Sequence, residues 1–249
     1  MCNIGLDYLF IGLLGLDAAG AALGTTIAQA ISVVVSMVVI LKRKSGIRLE
    51  KSDFRPKRMT MKNILKVGVP VCLQDGFIQV SFVVITIFAN QRGLTDAAAV
   101  GIVEKIISIL FLVPSSMMST ISALVAQNIG AGKHDRAKLT LKYVLMITVT
   151  YGLIMTIIVQ FVSVPLVGLF TNDGAVAVSG AGYLRSYASD CIFAGIHFCL
   201  SGYFYAYGLS VISFIHNSIS IVCARIPLSY YASVHFKDTL FPMGCAAPA

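Results

Sequence analysis

The chain has 249 residues, of which 57% are hydrophobic and only 12% are charged. Soluble domains carry about a quarter charged residues and give their helices a polar face, so this composition excludes an ordinary soluble domain. The net charge of +8 would suit a nucleic-acid partner, but ten of the 19 Lys and Arg lie between Lys42 and Lys66, flanked by apolar segments. That distribution is typical of the basic loops of a multi-pass membrane protein, and we expect no nucleic-acid partner.

Apolar segments long enough to cross a bilayer, about 20 residues each, follow one another along the chain. Residues 4–16 are too short to span and resemble the end of a helix. The predicted spans are residues 18–41, 64–90, 97–128, 139–170, 176–207 and 211–234, and a further apolar segment begins at Thr239. The predicted fold is therefore an all-α, polytopic transmembrane bundle of about six spans, with the lipid bilayer as its surroundings.

The charges of the connecting loops predict the orientation. Loops 42–62 and 130–142 are basic, whereas the loops on the opposite side hold only Arg92 and Lys237 as basic residues. Under the positive-inside rule the two basic loops are cytoplasmic, and we expect a multi-pass protein of the plasma membrane.

A glycine-rich segment at 124–138, LVAQNIGAGKHDRAK, partly resembles a phosphate-binding loop. A P-loop needs Gly-x-x-x-x-Gly-Lys-Ser/Thr between a strand and a helix. Here Gln127 stands at the position of the first glycine, His134 stands in place of the hydroxyl residue, and the preceding segment is a predicted membrane helix. We interpret the segment instead as a helix terminus, with Gly130 and Gly132 supplying left-handed backbone.

Two acidic residues lie deep within predicted spans, where an ionisable group is a candidate functional site. Counted from the ends of their spans, Asp75 and Asp190 both fall near the middle of the membrane. Burial favours a neutral carboxyl group and a bound cation favours a charged one, so such acids can exchange a proton or Na⁺ for a cationic substrate. The alternative is a structural role, with hydrogen bonds to Gln74, Ser189 or a tyrosine.

Other polar residues of the spans have less specific patterns. Glu104 and Lys105 are neighbours, and we expect a structural pair or a gate. We expect Arg225 to be structural and to pair with an acid on a neighbouring helix. His197 and His216 are single histidines in apolar segments, where core packing or hydrogen bonding is the common role. The Cys and His spacings indicate no metal site, and the hydrolase motifs are missing, so we expect neither an enzyme nor a cofactor.

The segment AQNIGAGKHDRAK closely resembles the (G/A)QNxGAGxxxRA signature of the multidrug and toxic compound extrusion (MATE) family, at Gln127, Asn128, Gly130 and Gly132. Further segments resemble parts of the same family in the same order. They are 3–29 (the fifth and sixth helices), 67–74 (the seventh), 97–117 (the eighth), 182–208 (the tenth) and 224–231 (the eleventh). Family members have twelve helices in two lobes. The resemblance thus implies a partial chain, divided into the end of the N-terminal lobe (1–41), a basic cytoplasmic linker (42–63) and the C-terminal lobe (64–249).

The resemblance implies secondary active efflux of organic, often cationic, compounds in exchange for Na⁺ or H⁺, by alternating access. It implies no cofactor beyond the coupling ion, and it makes the missing N-terminal lobe a partner. In one alignment the family's seventh-helix acid falls on Gln79, so Asp75, Asp190, Gln74 and Gln79 are all candidates for ion or substrate binding. Two alternatives remain: a lipid-linked oligosaccharide flippase of the same superfamily, for which a strongly cationic cavity is expected, and a truncated, non-transporting membrane protein.

Overall fold

The computed structural model describes residues 2–42, 57–236 and 238–246. The chain divides into two compact units, Met1–Lys57 and Arg58–Ala249. Most of the basic linker predicted at 42–63 lies outside the described residues. Its last part is already helical from Arg58 onward, so the helix expected to begin at residue 64 begins earlier. Met, Lys and Arg are good helix formers, which lets the helix extend beyond its apolar segment.

The N-terminal unit is a helical hairpin. Helix α1 (Cys2–Asp7) continues into a π-helical segment (Tyr8–Leu13), and α2 (Asp17–Lys42) packs beside them. The chain reverses through left-handed backbone at Gly15, with φ of 60°, and at Asp17, with φ of 40°. Glycine and aspartate tolerate this conformation better than most residues, which explains why the turn forms here.

The C-terminal unit is a bundle of helices, and no strand occurs in the described part of the chain. The prediction of an all-α fold is therefore confirmed. The helices are α3 (Arg58–Arg92), α4 (Leu94–Leu110), α5 (Leu112–Gly130), α6 (His134–Gly168), α7 (Gly174–Ala188), α8 (Asp190–Ala206), α9 (Ser210–Ser220), α10 (Ile226–His235) and α11 (Phe241–Ala246), with a π-helical segment at Ile221–Arg225.

Among the described residues, five helical stretches are long and apolar enough to cross a membrane. They are Asp17–Ile40, Arg58–Arg92, Leu94–Gly130, His134–Gly168 and Ser210–His235. The predicted span 176–207 is not one continuous helix, because this segment is two shorter helices that meet at Ser189. The Ser189 hydroxyl donates to the carbonyl oxygen of Ser186 at 2.7 Å, a local hydrogen bond of the kind that competes with the helical ladder.

A second interruption divides the stretch Leu94–Gly130 at Phe111, where α4 ends and α5 begins. Pro114 has no N–H to donate to the carbonyl of Leu110, one helical turn earlier. The hydroxyl of Tyr151 on α6 donates to that carbonyl instead, at 3.0 Å. A side chain from a neighbouring helix thus satisfies a backbone group that the proline leaves free, as a membrane interior requires.

Pro70 on α3 likewise has no N–H to donate to the carbonyl of Lys66, one helical turn earlier. The hydroxyl of Ser210, the first residue of α9, lies 3.4 Å from that oxygen and donates to it. Ser210 is fully buried. The freed carbonyl group therefore connects α3 to α9.

Small residues allow close helix packing around α8, which contacts both α5 and α6. A Cβ atom at Gly202 would lie 2.5 Å from the carbonyl oxygen of Met118, and one at Gly152 would lie 2.9 Å from that of Cys191. Only glycine permits such approaches, which are common between membrane helices. Large apolar side chains such as Phe161, 80% exposed, cover the outside of the bundle, as lipid contact favours.

Candidate substrate and ion cavity

A cavity of about 330 Å³ lies inside the C-terminal unit. Its walls come from α3, α4, α7, α8, α9 and the π-helical segment between α9 and α10, with Phe111 from the junction of α4 and α5. Aromatic side chains cover part of the wall, which suits a planar organic ligand. The polar and charged lining residues include Gln79, Glu104, Lys105, Asp190, Asn217 and Arg225, and the aromatic ones are Phe82, Phe111, Tyr187 and Phe198.

One face of α3 carries Gln79, Phe82 and Thr86, which follow at helical spacing. The Thr86 hydroxyl contacts the carbonyl oxygen of Phe82 at 2.9 Å and Oε1 of Glu104 at 3.3 Å. A hydroxyl has only one proton to donate. When Glu104 is protonated, its carboxyl group can donate to the Thr86 hydroxyl while that hydroxyl donates to the carbonyl oxygen of Phe82. The arrangement is therefore compatible with both the protonated and the charged carboxyl group.

Arg225 is 1% exposed and ends the π-helical segment. The nitrogen of Pro227 cannot donate to the preceding turn, and the N–H of Ile226 bonds to Ile221 O, five residues back. This wider turn is a π-helical hydrogen bond, and it places Arg225 on the cavity. The guanidinium carbon lies 4.3 Å from the ring centroid of Phe82, a cation–π contact between α3 and the π-helical segment.

Buried polar atoms without a hydrogen-bond partner occur in this wall. Nε and Nη2 of Arg225 have no such partner within the described residues, and neither do Nδ2 and Oδ1 of Asn217, which is 2% exposed. Asp190, also 2% exposed, is the first residue of α8, where the helix dipole favours a negative charge. Arg225 and Glu104 line the same cavity.

The structure separates the two acids that the sequence placed at one depth. Asp190 lines the cavity, whereas Asp75 is exposed on α3. Asp75 precedes Gln79 by one helical turn on the same face, about 6 Å along the axis. Gln74 is buried, and its Oε1 accepts a hydrogen bond from the hydroxyl of Tyr205 at 3.2 Å. The predicted site residues that the cavity does bring together are Gln79, Glu104, Lys105, Asp190 and Arg225.

Sequence reasoning missed Asn217 and Phe82 as lining residues. Asn217 had a usable signal, because an amide inside an apolar span needs a partner. Phe82 had none, since aromatic residues are common throughout the spans. His197 lines the cavity and its ring centroid lies 5.4 Å from that of His216. Its Nε2 lies 3.5 Å from Oγ of Ser201, a hydrogen-bonding contact.

The family signature residues form a helix terminus at the end of α5. The N–H of Lys133 bonds to Asn128 O at 2.8 Å and that of Gly132 bonds to Ile129 O at 2.9 Å, the pattern of a Schellman motif. Gly132 has φ of 70° and supplies the left-handed residue. The expectation for Gly130 is wrong, since it is the last helical residue of α5. One left-handed residue is enough to end the helix.

The chain resembles known proteins over most of its length. The family model MatE matches residues 70–231. The multidrug export protein MepA of Staphylococcus saprophyticus is 28% identical over 206 residues, which cover 83% of this chain and 46% of that protein. The probable multidrug resistance protein YoeA of Bacillus subtilis is 26% identical over 174 residues, covering 68% of this chain and 38% of the relative. The chain thus spans about half the length of the curated relatives it matches.

Solved structures share the fold. A MOP superfamily transporter from Pyrococcus furiosus superposes with a TM-score of 0.90 at 19% identity, over 99% of this chain and 56% of the other. A mutant of the Vibrio cholerae MATE transporter VcmN superposes with a TM-score of 0.89 at 15% identity, again over 99% and 56%. Together with the family model, which covers more than half of the residues, these matches confirm the resemblance carried by the sequence motifs: the chain belongs to the MatE family.

Proposed function

We propose that the protein to which this chain belongs is a secondary transporter that exports organic compounds in exchange for Na⁺ or H⁺, by alternating access. The observation that carries the proposal is the joint presence of Glu104 and Asp190 in an aromatic-lined cavity inside the helix bundle. Carboxylates within a membrane are costly unless they bind a cation or a proton. Aromatic faces attract organic cations, so ion and substrate can compete for one site.

Glu104 is the acid whose surroundings suit exchange best. Its contact with Thr86 accommodates a protonated and a charged carboxyl group, because the Thr86 hydroxyl can donate to Phe82 O in one case and approach Glu104 in the other. An arriving organic cation favours the charged form, and its departure favours re-protonation or Na⁺ binding. Asp190 adds a second negative charge to the same cavity.

Asp75 extends this site along α3. It is exposed one turn before Gln79, on the side from which the helix begins at Arg58. With the basic loops 42–62 and 130–142 in the cytoplasm, this is the inner side of the plasma membrane. Asp75 then attracts organic cations before they reach Gln79. Gln74 takes part in the site through the hydrogen bond that its Oε1 accepts from the Tyr205 hydroxyl. The positive charges of Lys105 and Arg225 balance the negative charges of the cavity acids. The same two residues hold the cavity closed between the steps of the transport cycle.

Mixed charge in the cavity favours export of organic compounds over flipping of a lipid-linked oligosaccharide, for which a strongly cationic cavity is expected. The lining includes Glu104 and Asp190 as well as Lys105 and Arg225.

The chain spans about half the length of its relatives, so the remaining lobe is part of the proposed transporter. A chain that does not transport by itself is therefore compatible with the proposal.

Ethidium efflux from energised cells tests the proposal. The chain is expressed within its full genomic reading frame, as the wild type and as Glu104→Gln, Asp190→Asn and Asp75→Asn. We expect the first two variants to reduce efflux at least tenfold and Asp75→Asn to reduce it less. Asp135→Asn is the matched control, because the Asp135 side chain is 98% exposed, lies in the first turn of α6 and does not line the cavity. Wild-type protein that reaches the membrane without exporting dye contradicts the proposal.

A further inference from the structure

A second cavity lies beside the first, and His197 lines both of them. The second cavity has a volume of about 420 Å³ and lies between α8 and α9. Its polar lining residues are His197, Ser201, Ser213 and His216, and its apolar ones are Phe193, Ile196, Leu200, Phe204 and Ile212. His197 therefore stands between this second cavity and the first one, which Glu104 and Asp190 line.

Polar side chains connect α8 to α9 along the second cavity. Oγ of Ser201 on α8 and Oγ of Ser213 on α9 lie 2.7 Å apart, and Nε2 of His197 lies 3.5 Å from Oγ of Ser201. Ser201 is 1% exposed and Ser213 is 2% exposed. The ring of His216 stacks on that of His197, with the two centroids 5.4 Å apart. Hydrogen-bonding groups thus follow one another away from the first cavity, between helices that are otherwise apolar.

This row of polar groups leads towards the end of the bundle at which α3 begins. His197, Ser201 and Tyr205 follow at intervals of four residues, on one face of α8. The Tyr205 hydroxyl donates to Oε1 of Gln74, in the first half of α3, at 3.2 Å. With the basic linker before α3 in the cytoplasm, the row runs from the first cavity towards the cytoplasmic side.

Polar groups that line up within a membrane are either hydrogen bonds between helices or parts of an ion path. An imidazole suits the second role, because it can accept a proton on one ring nitrogen and release one from the other. We propose that His197, Ser201 and Ser213 form a proton path that carries the coupling proton from the first cavity towards the cytoplasm. This inference rests on the proposed function and adds to it the coupling ion and its route.

Each transfer along the path moves one proton and breaks no bond between heavy atoms. A protonated carboxyl group of Glu104 or Asp190 gives its proton to Nδ1 of His197, directly or through water, which leaves a carboxylate and an imidazolium. The imidazolium releases the proton on Nε2 to the Ser201 hydroxyl, and Ser201 passes its own proton to Ser213. Water in the second cavity, whose volume and polar wall allow it, takes the proton from Ser213. Rotation of the imidazole and of the two hydroxyls restores the starting arrangement.

The charged and titratable residues around His197 come from both cavities. Those that the described residues contribute are Glu104, Lys105, Tyr187, Asp190 and Arg225 in the first cavity and His216 in the second. Glu104 and Asp190 can supply the proton. Lys105 and Arg225 are cations, and their charge opposes a lasting positive charge on His197, so the imidazolium passes its proton on.

Transport by the purified full protein in proteoliposomes tests the path, because two modes of transport can be compared. Net ethidium transport driven by a pH gradient needs a proton transfer in every cycle, whereas exchange of labelled for unlabelled ethidium needs none. The double variant Ser201→Ala/Ser213→Ala removes both hydroxyls together, so neither serine loses its partner alone. We expect it to lower net transport at least about tenfold, since a positioned proton carrier contributes about a hundredfold or more. We expect the exchange to stay unchanged.

Two single variants complete the comparison. His197→Gln keeps a hydrogen-bonding side chain but loses the pair of ring nitrogens that relays a proton, so we expect net transport to fall as it does in the double variant. Ser116→Ala is the matched control. The Ser116 hydroxyl donates to Leu112 O within α5 at 2.7 Å, and the residue lines neither cavity. We expect Ser116→Ala to leave both modes unchanged.

Net transport that stays unchanged in the double variant or in His197→Gln overturns the path. So does an equal loss of both modes in the double variant, which indicates serines that only hold α8 against α9. A wild type driven by a Na⁺ gradient and not by a pH gradient rejects the path and leaves the proposed function intact. A wild type that moves ethidium under neither gradient contradicts the proposed function, and the path with it.

Discussion

Arg92 Nε donates to Asp96 Oδ2 at 2.7 Å, an ion pair that joins the end of α3 to the first turn of α4. The same guanidinium donates through Nη1 to Ser233 O at 3.1 Å and Phe236 O at 2.9 Å, and through Nη2 to Thr239 O at 3.1 Å. One side chain thereby holds the end of α10 and the start of the following segment against α3. The last carbonyls of a helix generally lack helical partners, and the arginine donates to those of Ser233 and Phe236.

Arg92→Ala is expected to destabilise the fold. The side chain is 6% exposed and that of Asp96 18%, so its loss leaves a largely buried carboxylate and free carbonyls. We expect the free energy of unfolding to fall by about 3 kcal/mol, measured by thermal denaturation of the purified protein. Lys138→Ala is the control, because the Lys138–Asp135 pair is 72% and 98% exposed and its loss costs less than about 0.5 kcal/mol. Equal destabilisation by the two changes contradicts this role of Arg92.

Thr86 and Glu104 are expected to act as one unit in efflux. Thr86→Val removes the hydroxyl that lies 3.3 Å from Glu104 and keeps the side-chain shape. We expect it to lower ethidium efflux about threefold to tenfold, the effect of one hydrogen bond. In the double variant with Glu104→Gln, efflux is expected to equal that of Glu104→Gln alone, because Thr86 acts through the acid. If the fold reductions in efflux caused by the two single changes multiply in the double variant, Thr86 and Glu104 have independent roles.

Gly202 is expected to tolerate no side chain. A Cβ there would lie 2.5 Å from the carbonyl oxygen of Met118, and backbone cannot move aside as a flexible side chain can. Gly202→Ala therefore costs about 1–3 kcal/mol of stability through overpacking between α5 and α8. Gly182→Ala is the matched control on α7, since nothing lies within 4 Å of its Cβ position. There alanine is neutral or slightly stabilising, since it has the higher helix propensity. A lower melting temperature for Gly202→Ala only is the expected result.

The end of α5 allows a comparison between two neighbouring glycines. Gly132 has φ of 70°, where a Cβ is strained, and Gly130 is helical with open space at its Cβ position. We expect Gly132→Ala to lower stability by about 1–2 kcal/mol and Gly130→Ala to leave it unchanged or raise it. Thermal unfolding of the two purified variants measures the stability change that each substitution causes. If Gly130→Ala is the more damaging change, the helix does not end as described.

Much of the fold followed from apolar length alone. Five predicted spans correspond to helical stretches that the structure shows, because a bilayer demands helices of about 20 apolar residues whatever their partners. The errors lie where the helical hydrogen-bond ladder is interrupted, by a local side-chain hydrogen bond or by a proline. The break at Ser189 and the interruption at Phe111 are of this kind. Hydropathy does not register either of them, since both segments remain apolar throughout.

The candidate site was only partly predictable. Ionisable groups within a membrane are candidate functional residues. This rule indicated Asp190, Glu104, Lys105 and Arg225, and all four line one cavity. The same rule indicated Asp75, but the structure leaves it exposed, one turn from Gln79. Depth in a span can be counted along the chain, but the direction in which a residue faces depends on how helices pack.

By itself the sequence determined that this protein lies in a membrane, how its spans follow one another and to which family it belongs. Those properties depend on composition, length and short motifs, which act locally. Tertiary structure alone decided that Arg225 meets Phe82 and Asn217 lines the same wall, because a π-helical turn before Pro227 sets the rotation of one helix against α3. Contacts between helices depend on rotation and close approach, and neither is encoded in any single segment.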